Sequence, residues 1–294
     1  MTPSPRLLIP LLVLATGCAT TLSTHQTAVP ISPGHVEATL ATGLYAPVGA
    51  TASAIAQGHA QVTEILVAAA TGQAYQVTPD QQQRLLTAGI ALAVMPPSPS
   101  QELNVRTGIL ANWDAGLRYS INAVRLDTKY RVYHWDEGEQ MAEPYRRNFD
   151  VAVGLGASKY LFSNPVLDVL EFVELGDFDR WDLEVPVYVS YDWGYIWKVY
   201  GAAKYVLSRT EFDSTLVNTA AQAGNVTGLD LTLPNSVTTQ FFGATAGVMV
   251  GYRWAHLALE LTGGYTHCRP YVLGQRRDLG GLTLYPSVGL VVRI

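Results

Sequence analysis

The last part of the chain, residues 239–294, alternates between apolar and small or polar side chains along three consecutive segments. The apolar row of the first segment consists of Phe242, Ala244, Ala246, Val248, Val250, Tyr252 and Trp254. The opposite row is mainly threonine and glycine, with Phe241 and Met249 as exceptions. Side chains of a β-strand point alternately to its two faces, so the pattern predicts strands with one apolar and one polar face. Aromatic residues at both ends of the apolar row indicate strands that cross a membrane.

The same alternation recurs in seven earlier segments between His35 and Ser208. Strands inside a bilayer need every backbone group paired, so they must close on themselves. The predicted fold class is therefore all-β: a closed antiparallel transmembrane β-barrel of about ten strands, with a helical insertion near the N-terminus. An alternative count of twelve treats residues 59–70 and 85–95 as strands. Pro186 lacks a ladder donor, and we expect a bulge or kink there.

The helical insertion is predicted at about residues 47–95, where the strand pattern stops. Residues 51–70 are rich in alanine and show no period of two. A capping box follows, with Thr78 as N-cap, Pro79 at the first helical position and Gln81 at the third. We therefore predict two helices. Parts of this insertion are too apolar for a free loop, so we expect it to cap or partly plug the barrel.

The N-terminus contains a short apolar run, 7–14, which follows Arg6 and precedes Ala15, Thr16, Gly17 and Cys18. A helix that crosses a bilayer needs about twenty apolar residues, so this run is too short. It resembles a bacterial lipoprotein signal peptide, which implies cleavage before Cys18 and lipidation of that cysteine. Ordinary signal cleavage is the alternative.

The rest of the chain resembles the small bacterial outer-membrane β-barrels as a broad class. The likeness is one of strand pattern, and it departs from the class at Ile294, where such barrels often end on an aromatic residue. It implies localisation in the bacterial outer membrane, with outer-membrane lipid around the barrel. The predicted organisation is a signal peptide at 1–17, a flexible tether at 18–34 and a barrel at 35–294.

The inward positions of the predicted strands contain charges of both signs. Glu102 and Arg293 are two of these inward residues. The predicted lumen-lining residues are Arg106, Asp114, Arg118, Arg125, Asp127, Lys129, Arg131, Asp150, Glu184, Lys198, Lys204, Arg253 and Glu260. One interpretation is an envelope protein whose lumen is filled and tied by salt bridges. The alternative is a narrow channel for small polar or anionic solutes. Side chains fill barrels of about eight strands and open channels need about sixteen, so ten strands favour the filled lumen.

Other function classes have less support. The net charge of −5 without a basic stripe argues against nucleic-acid binding. His134, His256 and His267 belong to no nucleophile motif, so a membrane-barrel hydrolase is disfavoured and no enzyme is predicted. No cluster of metal ligands appears in the sequence, and we predict no metal and no cofactor. Loops 162–182 and 210–237 stay open as binding surfaces for protein partners that the sequence does not identify.

Overall fold

Ten antiparallel strands close into one barrel in the computed structural model. The structure describes residues 21–71, 75–120, 123–137, 147–161, 178–194, 196–212, 226–227 and 234–294. The barrel strands are β1 Val36–Gly49, β2 Ser98–Leu110, β3 Trp113–Ser120, β4 Ala123–Glu137, β5 Arg147–Tyr160, β6 Phe178–Trp193, β7 Trp197–Phe212, β8 Ser236–Tyr252, β9 Ala255–Cys268 and β10 Gly281–Arg293. Each strand pairs with the next, and β1 pairs with both β2 and β10. The predicted ten-stranded barrel is confirmed, and the twelve-stranded alternative is wrong.

The two ends of the barrel differ. At one end β1 begins and β10 finishes, with Glu37 opposite Arg293, and the turns at 111–112 and 253–254 lie there too. We call this the termini end. At the opposite end β1 leads into the helices and the segment 269–280 joins β9 to β10. We call this the helix end, and the distinction gives the lumen a direction.

The outer face of the barrel is apolar. Along β8 the exposed positions include Phe242 and Tyr252, which are 54% and 59% exposed, while Phe241 and Met249 are buried. These two exceptions to the sequence pattern point inward, where Phe241 packs in an apolar cluster and Met249 packs beside Tyr200. The polar row therefore contains apolar residues where the interior itself is apolar.

Pro186 does not shift the strand register, so the bulge expected there is absent. Pro186 faces Lys204 in an unbroken β6–β7 register, and the β5–β6 register is the same on both sides of it. Room comes from Gly154 of β5, where an added Cβ would lie 3.0 Å from the Pro186 ring. Bulges occur instead at 108–110 and 131–133. The missing donor is thus accommodated by a small neighbour rather than by an extra residue.

Two helices, α1 Ala50–Ala70 and α2 Pro79–Val94, form the predicted insertion. Thr78 caps α2, and Gln81 completes the capping box, which confirms that prediction. Two-residue strands 75–76 and 226–227 pair beside the helices, as do 271–272 and 275–276 within the loop after β9. No helix in the described ranges is long and apolar enough to cross a bilayer.

Helix α2 packs against the inside of the barrel at the helix end. Its buried side chains Leu86, Ile90 and Val94 join an apolar cluster with Tyr45 and Phe241 of the barrel wall. Arg180 of β6 donates to the carbonyl oxygen of Val94 at 2.9 Å and so holds the end of the helix. The helix pair therefore lies over the lumen, and we refer to α1 and α2 as the lid.

Residues 22–31 run through the lumen, and over these residues this corrects the flexible tether predicted at 18–34. Residues 22–28 are all buried, and Ile31 is 1% exposed. Leu22 contacts the apolar cluster at the helix end, and Pro33 bridges Gly108 at the termini end. The physical reason is that the polar groups of this stretch form hydrogen bonds with the charged barrel wall, which replace the hydrogen bonds that they would otherwise form with water. Residues 1–20, including Cys18 and the predicted signal peptide, lie outside the described residues.

Candidate functional site: the barrel lumen

The structure places most of the predicted lumen residues at buried, inward positions. Ten of them are at most 7% exposed: Arg106, Asp114, Arg118, Arg125, Asp127, Lys129, Asp150, Glu184, Lys204 and Glu260. Arg131 and Lys198 are partly buried near the termini end. Arg253 is a correction. It is exposed in the 253–254 turn with φ +50°, because β8 ends at Tyr252 and the alternation does not reach it.

The first cluster of lumen charges joins β2, β3 and β4. The guanidinium of Arg106 donates to both Asp114 and Asp127. Nζ of Lys129 lies 3.3 Å from Oδ2 of Asp114. Glycine at position 116 leaves space for the Arg106 side chain, because an added Cβ would lie 2.7 Å from its Nη1. Every charge in this cluster therefore has an opposite charge beside it, as buried ions require.

Two further clusters lie on either side of the first. Towards the helix end, Arg118 lies 3.4 Å from Glu102, and Arg125 donates to Glu184. At the termini end, the carboxylate of Asp150 lies 3.3 Å from Arg131 and 2.7 Å from Nδ1 of His134. A mixed network of charges thus runs along the inner wall.

The lumen segment 22–31 presents its carbonyl oxygens to wall cations. Lys204 donates to the carbonyl of Leu22 at 2.5 Å, and Arg118 donates to that of Ser23 at 2.8 Å and that of Thr24 at 3.4 Å. Lys129 donates to the carbonyls of Thr27 at 2.8 Å and Val29 at 3.2 Å. Three cations therefore hold five backbone oxygens.

The backbone N–H groups of the lumen segment are held by wall acceptors. The two carboxylate oxygens of Glu260 accept from the N–H of Thr24 at 2.6 Å and of His25 at 2.7 Å. Ser190 accepts from the N–H of Ala28 at 3.1 Å, and Asp114 accepts from that of Ile31 at 3.0 Å. Glu260 is itself positioned by Tyr200, whose hydroxyl donates to it at 3.0 Å. Charge-assisted bonds of this kind are the stronger hydrogen bonds of proteins.

The side chains of the lumen segment have fewer hydrogen-bond partners than its backbone. Within the described part of the chain, both ring nitrogens of His25, Oε1 of Gln26 and Oγ1 of Thr27 are buried without a hydrogen-bond partner. His25 also has φ +45°, a conformation that disfavours a residue with a Cβ. Its Nδ1 is 3.9 Å from Glu260, beyond hydrogen-bonding distance. Ser23, Thr24 and Gln26 do bond the wall, through Glu102, Lys204 and Tyr188.

Little space is left beside the lumen segment near the helix end. A cavity of about 20 Å³ lies there, lined by residues that include Leu22, Arg118 and Glu184. A water molecule needs about 10–15 Å³ of such volume, so this cavity has room for one water at most. The wall and the segment therefore fit together closely at this level.

Sequence reasoning did not single out several wall residues. Arg180, Asp182 and Asp192 are buried on β6 at positions that alternate with the outward valines, so the same period would have identified them. Arg180 pairs with Asp182 at 3.0 Å, and Lys198 pairs with Asp192 at 2.6 Å. The lumen segment itself had no such signal, because residues 22–31 show no period of two.

The lumen offers limited support for catalysis or metal binding. His134 with Asp150 is an arrangement that orients an imidazole in hydrolases, yet among the described residues no serine, threonine or cysteine hydrogen-bonds that ring. No group of three or more His, Cys, Asp or Glu side chains in the described ranges is arranged to hold a metal ion. Cys268 is buried, and Cys18 is not among the described residues.

Comparison with known proteins gives little further information. No protein-family model matches the chain, and no curated protein matches it significantly. Among solved structures, the chain is similar to the crystal structure of Neisserial surface protein A, with 10% sequence identity and a TM-score of 0.31. That similarity covers 88% of this chain and 95% of the other. The ten-stranded architecture follows from the strand pairing of this chain and does not depend on the likeness.

Proposed function

We propose that this protein is a non-enzymatic, integral outer-membrane β-barrel lipoprotein, an envelope component whose lumen is closed by its own N-terminal segment. The observation that carries the proposal is the bonding of nine backbone groups of residues 22–31 to the barrel wall. A free tether would leave these groups to water. The proposal has three parts: membrane insertion, closure of the lumen and lipidation.

Membrane insertion is supported by the outer face. Along β8, Phe242 and Tyr252 are ten residues apart, which is about 33 Å along a strand and about 25 Å along the axis of a barrel with ordinary strand tilt. That is the height of the apolar band in outer-membrane barrels. Exposed aromatics gather at the same two levels, with Trp193 and Trp254 at the termini end and Tyr265 beside Phe242. Such belts lie at the headgroup level.

Closure is supported by two layers inside the barrel. The lumen segment fills the polar middle, and the apolar cluster beneath α2 covers the helix end. A barrel of ten strands is slightly wider than the eight-stranded barrels whose interior side chains alone can fill, and a single polypeptide segment suits the additional space. The apolar character of the insertion predicts that it caps or partly plugs the barrel. We infer that the lid and the lumen segment share this role.

Lipidation of Cys18 is supported by the likeness of residues 6–18 to a lipoprotein signal. Mass spectrometry of the mature N-terminus tests it. A mature N-terminus at a diacylated Cys18 would support the proposal, provided that the lipid modification is absent from a Cys18→Ala variant. An unmodified N-terminus at another residue would indicate ordinary signal cleavage.

The second candidate is a narrow channel for small polar or anionic solutes. One observation favours it: Arg118, Lys129 and Lys204 direct their charges at carbonyl oxygens of the lumen segment. If the segment left, these cations would face a polar passage that attracts anions. The channel would then be a gated state of the same barrel.

Single-channel conductance of the purified full chain in a planar bilayer tests closure. We expect no conductance steps from the parent protein, with insertion verified by the heat-dependent gel mobility of a folded barrel. A variant without residues 22–31 should conduct and prefer anions. Discrete anion-selective steps from the parent itself would contradict closure and favour the channel.

A further inference from the structure

The barrel wall recognises the main chain of the lumen segment more completely than its side chains. Five carbonyl oxygens are held by Arg118, Lys129 and Lys204, and four N–H groups are held by Glu260, Ser190 and Asp114. These partners depend on backbone position alone. Any chain that follows the same path, without proline at the four donor positions, would present the same groups.

The side chains of the segment indicate a poorly matched occupant. His25, Gln26 and Thr27 bury polar atoms that lack hydrogen-bond partners among the described residues, and His25 has a positive φ. The His25 ring lies against the backbone of β10, where an added Cβ at Gly289 would be 3.2 Å from its Cγ. Buried polar atoms without partners oppose the burial of the segment. The segment is therefore held by backbone bonds against unfavourable side-chain terms.

Size is restricted at one position of the segment. Ala28 is completely buried and packs against Ala152, Tyr188 and Ala202. A larger side chain there would meet three wall residues on neighbouring strands, which a closed barrel cannot move apart independently. Position 28 therefore requires a small residue, whatever the rest of the occupant is.

We propose that the lumen is a binding site for an unfolded polypeptide segment, recognised through its main chain, and that residues 22–31 occupy this site in cis as an exchangeable segment. The ligand class is an unfolded segment of about ten residues that follows the path of residues 22–31. It has a small residue at the place of Ala28. The proposal rests on the closed barrel described under the proposed function, but peptide binding and conductance are measured separately.

The test uses the full chain with Ala28→Trp, which displaces the cis segment while every wall ligand stays in place. The probe is a fluorescein-labelled synthetic peptide with the sequence of residues 22–31, and fluorescence anisotropy in detergent micelles reports binding. We expect the Ala28→Trp protein to bind the peptide at least about tenfold more tightly than the parent, because the parent's own segment competes at high effective concentration.

Three modified peptides separate main-chain from side-chain recognition. A peptide that keeps the apolar residues Leu22, Ala28, Val29, Pro30 and Ile31 in place and permutes the polar side chains of residues 23–27 should bind within about threefold of the native one, since its backbone groups are unchanged. N-methylation at Thr24 and His25 removes the two donors to Glu260 and should weaken binding by about tenfold or more. A peptide with Ala28→Trp should not bind.

The results that overturn the proposal are specific. Loss of binding on permutation would show that side chains are recognised, and a folded Ala28→Trp protein that binds no peptide would show that the site does not exchange. If that variant does not fold, hydrogen exchange of residues 22–31 in the parent decides: a millimolar excess of native peptide should increase exchange, and no change would refute exchangeability. Conductance of the parent would contradict closure without affecting the peptide result.

Discussion

Glu260 gives the sharpest prediction about the lumen segment. Its two carboxylate oxygens each accept one backbone N–H, from Thr24 and from His25. Glu260→Gln keeps one acceptor and turns an NH₂ group towards the other N–H. One charge-assisted hydrogen bond, which contributes about 1.5–3 kcal/mol, is lost, and a buried donor is left without a partner. We expect the free energy that holds the segment in place to fall by about 2–3 kcal/mol.

Hydrogen exchange measured by mass spectrometry reports this loss of free energy as faster exchange of the segment amides. The opening equilibrium of residues 22–31 should increase by roughly 30- to 150-fold, since each 1.4 kcal/mol is a factor of ten. Amides of the barrel strands should keep their protection, because their ladder bonds are not altered. The expected signature is thus faster exchange confined to the segment.

Two variants serve as controls for Glu260→Gln. Glu211→Gln removes an exposed partner of Arg209 and should leave segment exchange unchanged, because surface ion pairs contribute about 0–1 kcal/mol. Tyr200→Phe leaves both bonds from Glu260 to the segment but removes the hydroxyl that positions the carboxylate, and should increase exchange by less than about tenfold. If a folded Glu260→Gln protein exchanged its segment at the parental rate, the assigned role of Glu260 would be wrong.

Three further predictions concern the wall, the segment and the lid. Arg106→Met leaves Asp114 and Asp127 without their shared cation and should destabilise the barrel by about 3–5 kcal/mol in urea unfolding; an unchanged midpoint would contradict the buried network. His25→Gly relieves the positive φ, worth about 1–2 kcal/mol, and removes two unpartnered nitrogens, so hydrogen exchange of the segment should slow rather than quicken. Thr78→Ala removes the cap of α2 and should lower lid stability by about 1 kcal/mol, seen as faster exchange in α2 alone.

The strands were predictable because each one lies between two different environments. Leu259 belongs to the apolar outer face of the barrel, whereas Glu260 next to it faces the polar lumen, and this contrast appears in the sequence as a period of two. The capping box at Thr78 is equally local. Features whose causes lie within a few residues could therefore be derived from the sequence.

The lumen segment was not predictable in the same way. Its partners are far away in sequence, with Lys204 182 residues from Leu22 and Glu260 236 residues from Thr24. It also binds the wall through backbone groups. Every residue has these groups, so the amino-acid composition does not reveal them. A polar stretch rich in Thr and Ser suits a solvated tether as well as a charged lumen, and only the wall decides between them. Arg253 was misplaced for a different reason, since alternation alone does not indicate where a strand ends.

The segment and the lid are linked through Leu22. This side chain is 3% exposed and belongs to the same apolar cluster as Leu86 and Ile90 of α2, while its carbonyl accepts from Lys204 in the polar lumen. In the exchange that we propose, the departing segment must withdraw Leu22 from beneath the lid, so the free energy of each closure depends on the other. A ligand that lifts the lid would weaken the hold on the segment, and an occupant that lacks an apolar residue at this position would leave the lid less well packed. The closure that we propose therefore has two parts, a polar one set by backbone bonds and an apolar one set by packing.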